Sequence, residues 1–204
     1  MEALSYLPAI ISAIGTIIAA WFAYNQYAKN KITDLKVEQM QADLAEKKKR
    51  RADNSALVHG ELWNVLHELN ADRVYIVQPH PLGNESMLSV YFESKRKGVE
   101  SMKPHIQRLK MCDVAKFCAE LTTNPYMSIN DIDGQVADRR AKALLSSCGT
   151  HQVIIKRLSD STHDWVGSIF CEFTHKTPID DVSARAILHE AATNIQYIIP
   201  PFID

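Results

Sequence analysis

The first 28 residues are almost entirely apolar and contain a single charged residue, Glu2. A helix over residues 4–24 would be about 31 Å long at roughly 1.5 Å per residue, which matches the hydrocarbon thickness of a bilayer. Trp21, Tyr24 and Tyr27 cluster at one end of the segment, and such amphipathic rings are typical of a membrane–water interface. The pattern predicts a transmembrane anchor over residues 1–28.

Basic residues follow the apolar segment and none precedes it. Since Lys and Arg stay on the cytoplasmic side, we expect a single-pass protein of the inner or plasma membrane, with its N-terminus outside and its C-terminal part in the cytoplasm. A cleaved signal peptide is the alternative, but it requires basic residues before the apolar core, and Met1-Glu2 supplies none. The residues predicted at the membrane interface are Trp21, Tyr24, Tyr27, Lys29 and Lys31.

Residues 29–55 lack Gly and Pro and are rich in Lys, Glu, Gln, Ala and Leu, a composition that favours helix. Four apolar positions form a broken heptad repeat: Ile32, Leu35, Ala42 and Ala45. This repeat is typical of either a coiled-coil dimer or a single solvated helix. Within the apolar segment, Gly15 and Ala19 form a small-xxx-small pair, which is interpreted either as a close contact between membrane helices or as small lipid-facing residues. We therefore expect a helical stalk and a homodimer or higher homo-oligomer.

The stalk is basic although the whole chain is nearly neutral. Residues 29–51 contain eight Lys or Arg and four Asp or Glu, while the formal net charge of the chain is -1. A near-neutral balance argues against a dedicated nucleic-acid binder. The run KKKRR at residues 47–51 is interpreted either as a contact with anionic lipid head groups or as a solvated collar before the next domain.

Residues 56–204 carry the periodicities of a mixed α+β domain. The chain is 46% hydrophobic and 23% charged, values typical of a globular protein with a packed core. An apolar stripe at helical spacing predicts a helix over residues 56–69. β-branched and aromatic runs predict strands over residues 73–78 and 88–93, joined by a long loop that contains Pro and Gly.

The rest of the domain alternates in the same way. Lys103-Pro104 predicts the start of a helix that ends before Asn124-Pro125. The elements expected after it are a strand at 126–129, a helix at 136–148, strands at 152–158 and 166–173, and a last helix with Thr177 as its cap and Pro178 in its first turn. The predicted order is helix, two strands, helix, strand, helix, two strands, helix.

This order, together with three stretches of sequence, resembles the GAF domain family. The stretches are LHELNADRVYIV, MSINDIDG and WVGSIFCEFTHKTPIDDVSARAILHEAATNIQYI, and the resemblance covers about residues 56–199. It implies an antiparallel sheet of five to six strands flanked by helices, often with a small-molecule pocket between the sheet and the connecting helices. It also implies dimerisation through the first and last helices.

The sequence lacks the output modules of the better-known members of that family. No kinase, cyclase, phosphodiesterase or DNA-binding module comes after Ile199, and no residue set matches the family's cyclic-nucleotide signature. A P-loop, a Gly-rich dinucleotide fingerprint and an HExxH motif are also missing from the sequence. We expect no enzyme activity.

Five residues are candidates for a ligand site: Tyr91, Tyr126, Asn130, Asp131 and Asp133. The Asn-Asp loop lies beside a predicted sheet edge, where it would receive a ligand's donors or a cation. The alternative is that these residues form a turn and cap the next helix. The two tyrosines are interpreted either as pocket walls or as core aromatics.

The four cysteines fall in predicted helices or strands and form no CxxC motif: Cys112, Cys118, Cys148 and Cys171. In a reducing cytoplasm we interpret them as buried thiols. His105 and Cys112 would share one helix face, but the spacing supplies no further ligands, so no metal is expected. GAF domains that hold a tetrapyrrole attach it through a cysteine, so the resemblance makes Cys112, Cys118 and Cys148 the candidates for such a link. The cofactor stays unassigned.

Two functions fit this sequence. The first is a membrane-anchored cytoplasmic sensor or interaction module that has no catalytic output of its own and acts on a partner protein. The alternative is an oligomerising structural or membrane-remodelling protein, such as a phage-type lysis or exclusion factor, whose GAF-like domain binds no ligand. The lipid bilayer and further copies of the chain are the expected partners in both.

Overall fold

The computed structural model describes residues 7–199, except for the side chains of residues 7–19, 44 and 47–52. The chain divides into two compact units, Met1–Arg50 and Arg51–Asp204. The first helix, α1 (Leu7–Glu68), contributes residues to both units. The predicted division into anchor, stalk and domain stays a prediction.

In the first unit the described residues are helical, and the side chains described there are mostly exposed, including Ile32 and Leu35. Among the side chains that the structure describes, no helix contains a stretch long and apolar enough to cross a membrane. Most of the predicted anchor, residues 1–28, lies outside that part, because side chains are described only from residue 20 onward. The basic run at residues 47–51 also lies outside the described side chains.

The second unit is built on a six-stranded antiparallel sheet, which confirms the sheet predicted from the sequence. The strands are β1 (Arg73–Leu82), β2 (Glu85–Lys95), β3 (Leu109–Lys110), β4 (Tyr126–Ile129), β5 (Gln152–Ser159) and β6 (Trp165–Phe173). Their order across the sheet is β3-β2-β1-β6-β5-β4. β6 therefore lies between β1 and β5, and β1 and β6 are the two central strands of the sheet.

Helices cover both faces of the sheet. One face packs against α2 (Ala115–Thr123), α3 (Ile132–Gln135) and α4 (Arg139–Ser147), and the other packs against the end of α1 and α5 (Asp181–Ile195). We call the first the inner core and the second the helical-pair core. Tyr75 and Val77 of β1 point into the inner core, while Val74 and Ile76 point into the helical-pair core. The stretch of residues 74–77 is apolar on both sides because both faces of the sheet are buried there.

The prediction of a long loop between the first two strands is wrong. β1 and β2 continue to the pair Leu82 and Glu85, so only two residues form the turn. Gly83 adopts a φ of 61° as the first of them, a conformation that favours Gly. Pro79 and Pro81 are tolerated inside β1 because β6 pairs with β1 only as far as Val77, which leaves that edge of the strand open.

The prediction of a helix that begins at Lys103-Pro104 is also wrong. Residues 103–108 form turns, β3 follows, and a single 3-10 turn over Met111–Val114 precedes α2. Arg108 has a φ of 56°, which a right-handed helix cannot contain. Leu109 pairs with Leu88 instead, so the apolar spacing reflects an added edge strand.

Two other helix starts differ from the prediction. The helix expected at 136–148 begins at Arg139, where Asp138 caps it by accepting hydrogen bonds from the N–H groups of Arg140 and Ala141. The last helix begins at Asp181 rather than after Thr177, because the carboxylate of Asp180 accepts from the N–H of Val182. Both starts follow the acid that caps the helix.

Candidate functional site

The inner core is the place where the resemblance locates a ligand pocket, and it is filled by its own side chains. Its cavity has a volume of about 20 Å³. Every residue around the cavity is apolar or aromatic: Tyr75, Val77, Leu88, Ile106, Leu109, Val114, Phe117, Leu121, Ala141, Leu144, Leu145 and Phe170. A volume of this size holds about one water molecule, whereas ligand pockets measure roughly 300–1,000 Å³.

A tetrapyrrole does not fit this core. The cavity is too small, and none of its lining residues, all of them described, is a cysteine or carries a charge. Phe170 stacks on Tyr75 with ring centroids 5.1 Å apart, and Phe117 lies 6.1 Å from Phe170. These rings occupy the volume that a large planar ligand would need.

A buried polar cluster lies at one end of the inner core. Arg73 of β1 and Glu172 of β6 are direct cross-strand neighbours, and neither side chain has exposed surface. Arg73 donates from Nε to Oε2 of Glu172 at 3.0 Å and also from Nη2 to the same oxygen. Thr150 donates its hydroxyl to this oxygen at 2.8 Å, and the Tyr75 hydroxyl donates to Oε1. Both oxygens of the Glu172 carboxylate therefore accept hydrogen bonds.

The electrostatics of this cluster keep Arg73 charged and Tyr75 protonated. Burial opposes the charged guanidinium, but the neighbouring carboxylate of Glu172 raises the pKa of Arg73 above its ordinary value. Burial and the negative charge of Glu172 raise the pKa of Tyr75 well above its ordinary value. The cluster is a closed network rather than a poised acid or base.

Arg73 links this network to the surface. Its Nη1 donates to the backbone oxygen of Glu100 at 2.5 Å, and its Nη2 donates to Thr150 at 3.1 Å. The Glu100 carboxylate lies 2.9 Å from Nε2 of His105. Glu100, His105 and Cys148 each place one potential ligand atom within 4.8 Å of the others. Among the described residues, these three are the set that could hold a metal ion.

The predicted Asn-Asp loop follows β4 and is held by local hydrogen bonds. Asp131 caps α3 by accepting from the N–H of Asp133 at 3.2 Å. The side-chain oxygen of Gln135 accepts from the N–H groups of Asn130 and Asp131. The side-chain oxygen of Asn130 accepts from Gln152 at 3.3 Å. These bonds match the turn-and-cap alternative, and the role of the loop as a ligand site stays a prediction.

The structure does not bring the two predicted tyrosines together. Tyr91 is in β2 and Tyr126 is in β4, four strand positions apart, which corresponds to about 19 Å at the usual spacing. Tyr91 is partly exposed, with the ammonium of Lys103 5.2 Å from its ring centre. Tyr126 lies on the helical-pair side and donates to Asp181 at 2.8 Å. They do not form one pocket.

The predicted membrane-interface residues lie on α1. Trp21, Tyr24 and Tyr27 are all more than half exposed, and the ammonium of Lys31 is 5.9 Å from the centre of the Tyr27 ring. Lys29 accepts a hydrogen bond at its backbone oxygen from Thr33. A bilayer contact at these residues stays a prediction.

The buried cluster and the surface triple were missed at the sequence level. One signal was present: Arg73 begins, and Glu172 stands within, a run of β-branched and aromatic residues that predicts a buried strand. A charge in such a strand requires a partner of opposite sign. Glu100 and Cys148 carried no signal, since they are far apart in the sequence and meet only in the folded domain.

Comparison with known proteins shows the fold. No protein-family model matches the sequence, and no curated protein matches it. The blue-light absorbing PixJ GAF domain of Thermosynechococcus elongatus has a TM-score of 0.59 at 12% identity, over 74% of this chain and 87% of that one. A second structure of the cyanobacteriochrome receptor PixJ gives 0.58 at 12% identity, over 74% of this chain and 97% of that one.

A phycocyanobilin-bound GAF domain from a cyanobacterial phytochrome gives a TM-score of 0.54 at 16% identity, over 76% of this chain and 93% of that one. These identities are low, so the likeness concerns the fold. Residues 56–199 have the GAF-like fold that the sequence predicts.

Proposed function

We propose that this chain is a membrane-anchored sensor or interaction module whose GAF-like domain has no catalytic output of its own. The observation that carries the proposal is the GAF-like fold, shared with proteins described as receptors and phytochromes. The end of α1 is part of this fold, since Val58, Leu62 and Leu66 pack in the helical-pair core with Leu188 of α5. A change in the packing of the domain would therefore reach the helix that leads to the predicted anchor.

The membrane anchor rests on the sequence. Residues 3–28 contain no charge, aromatic residues lie at their end, and basic residues follow. The domain would lie in the cytoplasm. The test is fractionation of cells that produce the full chain with a C-terminal tag. We expect the protein to stay with membranes at alkaline pH and to dissolve in detergent. Protease added outside the cells should leave the C-terminal tag intact, and should digest it once the membrane has been broken.

The filled inner core bears on what the module senses. A cavity of about 20 Å³ leaves no room for a tetrapyrrole or a nucleotide, so the input would act at the surface of the domain. Leu57 and Trp63 of α1 are 59% and 54% exposed, and Val182 at the start of α5 is 78% exposed. These apolar side chains would contact a second copy of the chain or a partner protein.

The filled core also favours the second function, an oligomerising structural or membrane-remodelling protein whose GAF-like domain binds nothing. Crosslinking in membranes separates the two functions. Assemblies larger than a dimer that persist when residues 56–204 are deleted would support the remodelling protein. Dimers that require those residues, and that weaken when Trp63 is replaced by Glu, would support the sensor. A Val37→Glu variant in the first unit is the control for an added charge on an exposed part of α1.

A further inference from the structure

The triple of Glu100, His105 and Cys148 combines three kinds of metal ligand. Its carboxylate, imidazole and thiol groups each place one ligand atom within 4.8 Å of the others, and the imidazole Nε2 is 2.9 Å from the carboxylate. Nitrogen, oxygen and sulfur donors in this number are the set that zinc binds when three protein ligands leave a fourth position open. We propose that Glu100, His105 and Cys148 bind one zinc ion.

The buried network contacts both chain segments that carry the ligands of this site. Arg73 donates from Nη1 to the backbone oxygen of Glu100 and from Nη2 to the hydroxyl of Thr150, two residues after Cys148. The ion pair with Glu172 fixes the guanidinium that makes both bonds. One buried group thus sets the distance between two chain segments that carry ligands. Such outer partners orient metal ligands and tune their affinity.

The end of α4 positions the thiol. Cys148 follows the last residue of α4, and its N–H donates to the backbone oxygen of Leu145 at 3.2 Å. Gly149 has a φ of 75°, a left-handed conformation that ends the helix. The backbone at Cys148 is therefore fixed at the end of α4, and its thiol lies within 4.8 Å of the ligand atoms of Glu100 and His105.

Access and charge also suit a cation. The side chains of His105 and Glu100 are 40% and 56% exposed, while Cys148 is buried, so the site is open to solvent on one side. Zinc binding would displace the thiol proton into solvent, and the thiolate and the Glu100 carboxylate would together balance the two charges of the ion. The positive charge of Arg73 is already balanced by Glu172. A water molecule would complete the coordination.

Cobalt(II) is a spectroscopic probe for this site, and the protein is the full chain in detergent. We expect one cobalt ion per chain, a charge-transfer absorption in the near ultraviolet from a cobalt–thiolate bond, and loss of that absorption when zinc is added. Cys148→Ser should abolish it. The matched control is Cys112→Ser, because Cys112 is exposed and lies outside the triple.

His105→Gln and Glu100→Gln test the site without altering a buried side chain. Changes to outer-shell partners already weaken metal sites by about 10–100-fold, so loss of a direct ligand should weaken zinc binding by at least about 100-fold. His189→Gln on the exposed side of α5 is the control and should bind like the wild type. Circular dichroism melts of each variant verify the fold.

Three results would overturn the proposal: no cobalt–thiolate absorption in the wild type, the same absorption in Cys148→Ser, or unchanged affinity in His105→Gln. If Cys148→Ser fails to fold, the two Gln variants decide. The zinc site goes beyond the proposed function and does not depend on it. Metal binding is measured in detergent, whereas anchoring and dimerisation are measured in membranes, so either proposal can fail alone.

Discussion

Arg73 and Glu172 lie opposite each other on the two central strands, and their ion pair has no exposed side-chain surface. Removing one partner of such a pair leaves an uncompensated charge in the core. We expect Arg73→Met to lower the free energy of unfolding by about 3–5 kcal/mol. Urea denaturation followed by circular dichroism measures the change.

An exposed ion pair supplies the control for this substitution. Lys110 and Glu85 are 2.6 Å apart and about half exposed. Because solvent screens such pairs, Lys110→Met should cost far less stability than Arg73→Met. A double variant, Arg73→Met with Glu172→Leu, should recover part of the loss since no charge is left buried. Equal costs for the two single substitutions would contradict the role given to Arg73.

Replacement by alanine is predicted to change the stability of the protein in opposite directions at two glycines. A Cβ at Gly167 in β6 would lie 2.9 Å from the backbone oxygen of Val77, so the two central strands would have to separate. We expect Gly167→Ala to destabilise the domain by about 1–3 kcal/mol. A Cβ at Gly60 in α1 meets nothing within 4 Å, so Gly60→Ala should stabilise the helix by up to about 1 kcal/mol. Thermal melts of both variants check the signs.

Enlarging the filled inner core should create a binding cavity. Leu145 is buried in α4 and lines the small cavity, so Leu145→Ala should cost about 2–5 kcal/mol and leave an apolar void. Such a void binds small apolar molecules. We expect benzene to raise the melting temperature of this variant and to leave that of the wild type unchanged. Leu57→Ala, at an exposed position, is the control for truncation of a leucine.

Stability should fall in alkaline solution. Burial, with the nearby charge of Asp138, raises the pKa of Cys118 to about 11, and burial also raises the pKa values of Cys171 and Tyr75. The folded protein therefore holds these protons more tightly than the unfolded chain, in which a thiol titrates near pH 8.5. The contribution of these protons to the free energy of unfolding is therefore fully present below pH 8.5, and it is lost as the pH rises toward about 11.

Urea midpoints at neutral and alkaline pH measure this effect. Cys118→Ala should reduce the dependence on pH, because it removes one of the groups that titrates late in the folded state. Cys112→Ala, which truncates an exposed thiol, is the control. A midpoint that stays constant up to about pH 10.5 would contradict the assignment of these buried groups.

The strands of the domain were predictable because their patterns are local. The runs at residues 73–78 and 152–158 are β-branched and apolar, and both became strands of the sheet. The turn around Arg108 was not predictable, since Ile106 and Leu109 also fit helical spacing. The pairing of Leu109 with Leu88, a contact between residues distant in the sequence, decides between the two.

The candidate site depends still more on distant contacts. The Asn-Asp loop stood out because it is polar and local, and the structure gives its residues caps and turns. Glu100 and His105 lie in an irregular stretch, and Cys148 ends a helix, so no periodicity connects them. Only the antiparallel arrangement of β1 and β6, with Arg73 between the segments, brings them to one place.

The difference in exposure among the four cysteines allows one of them to be labelled selectively. Cys118, Cys148 and Cys171 are buried as predicted, but the prediction was wrong for Cys112, which is exposed in the 3-10 turn before α2. A maleimide spin label should therefore attach at one native position, with no need to engineer a cysteine-free background. In a homodimer, one label per copy would give a single distance by pulsed electron paramagnetic resonance. That distance would report how two domains approach each other in a native membrane.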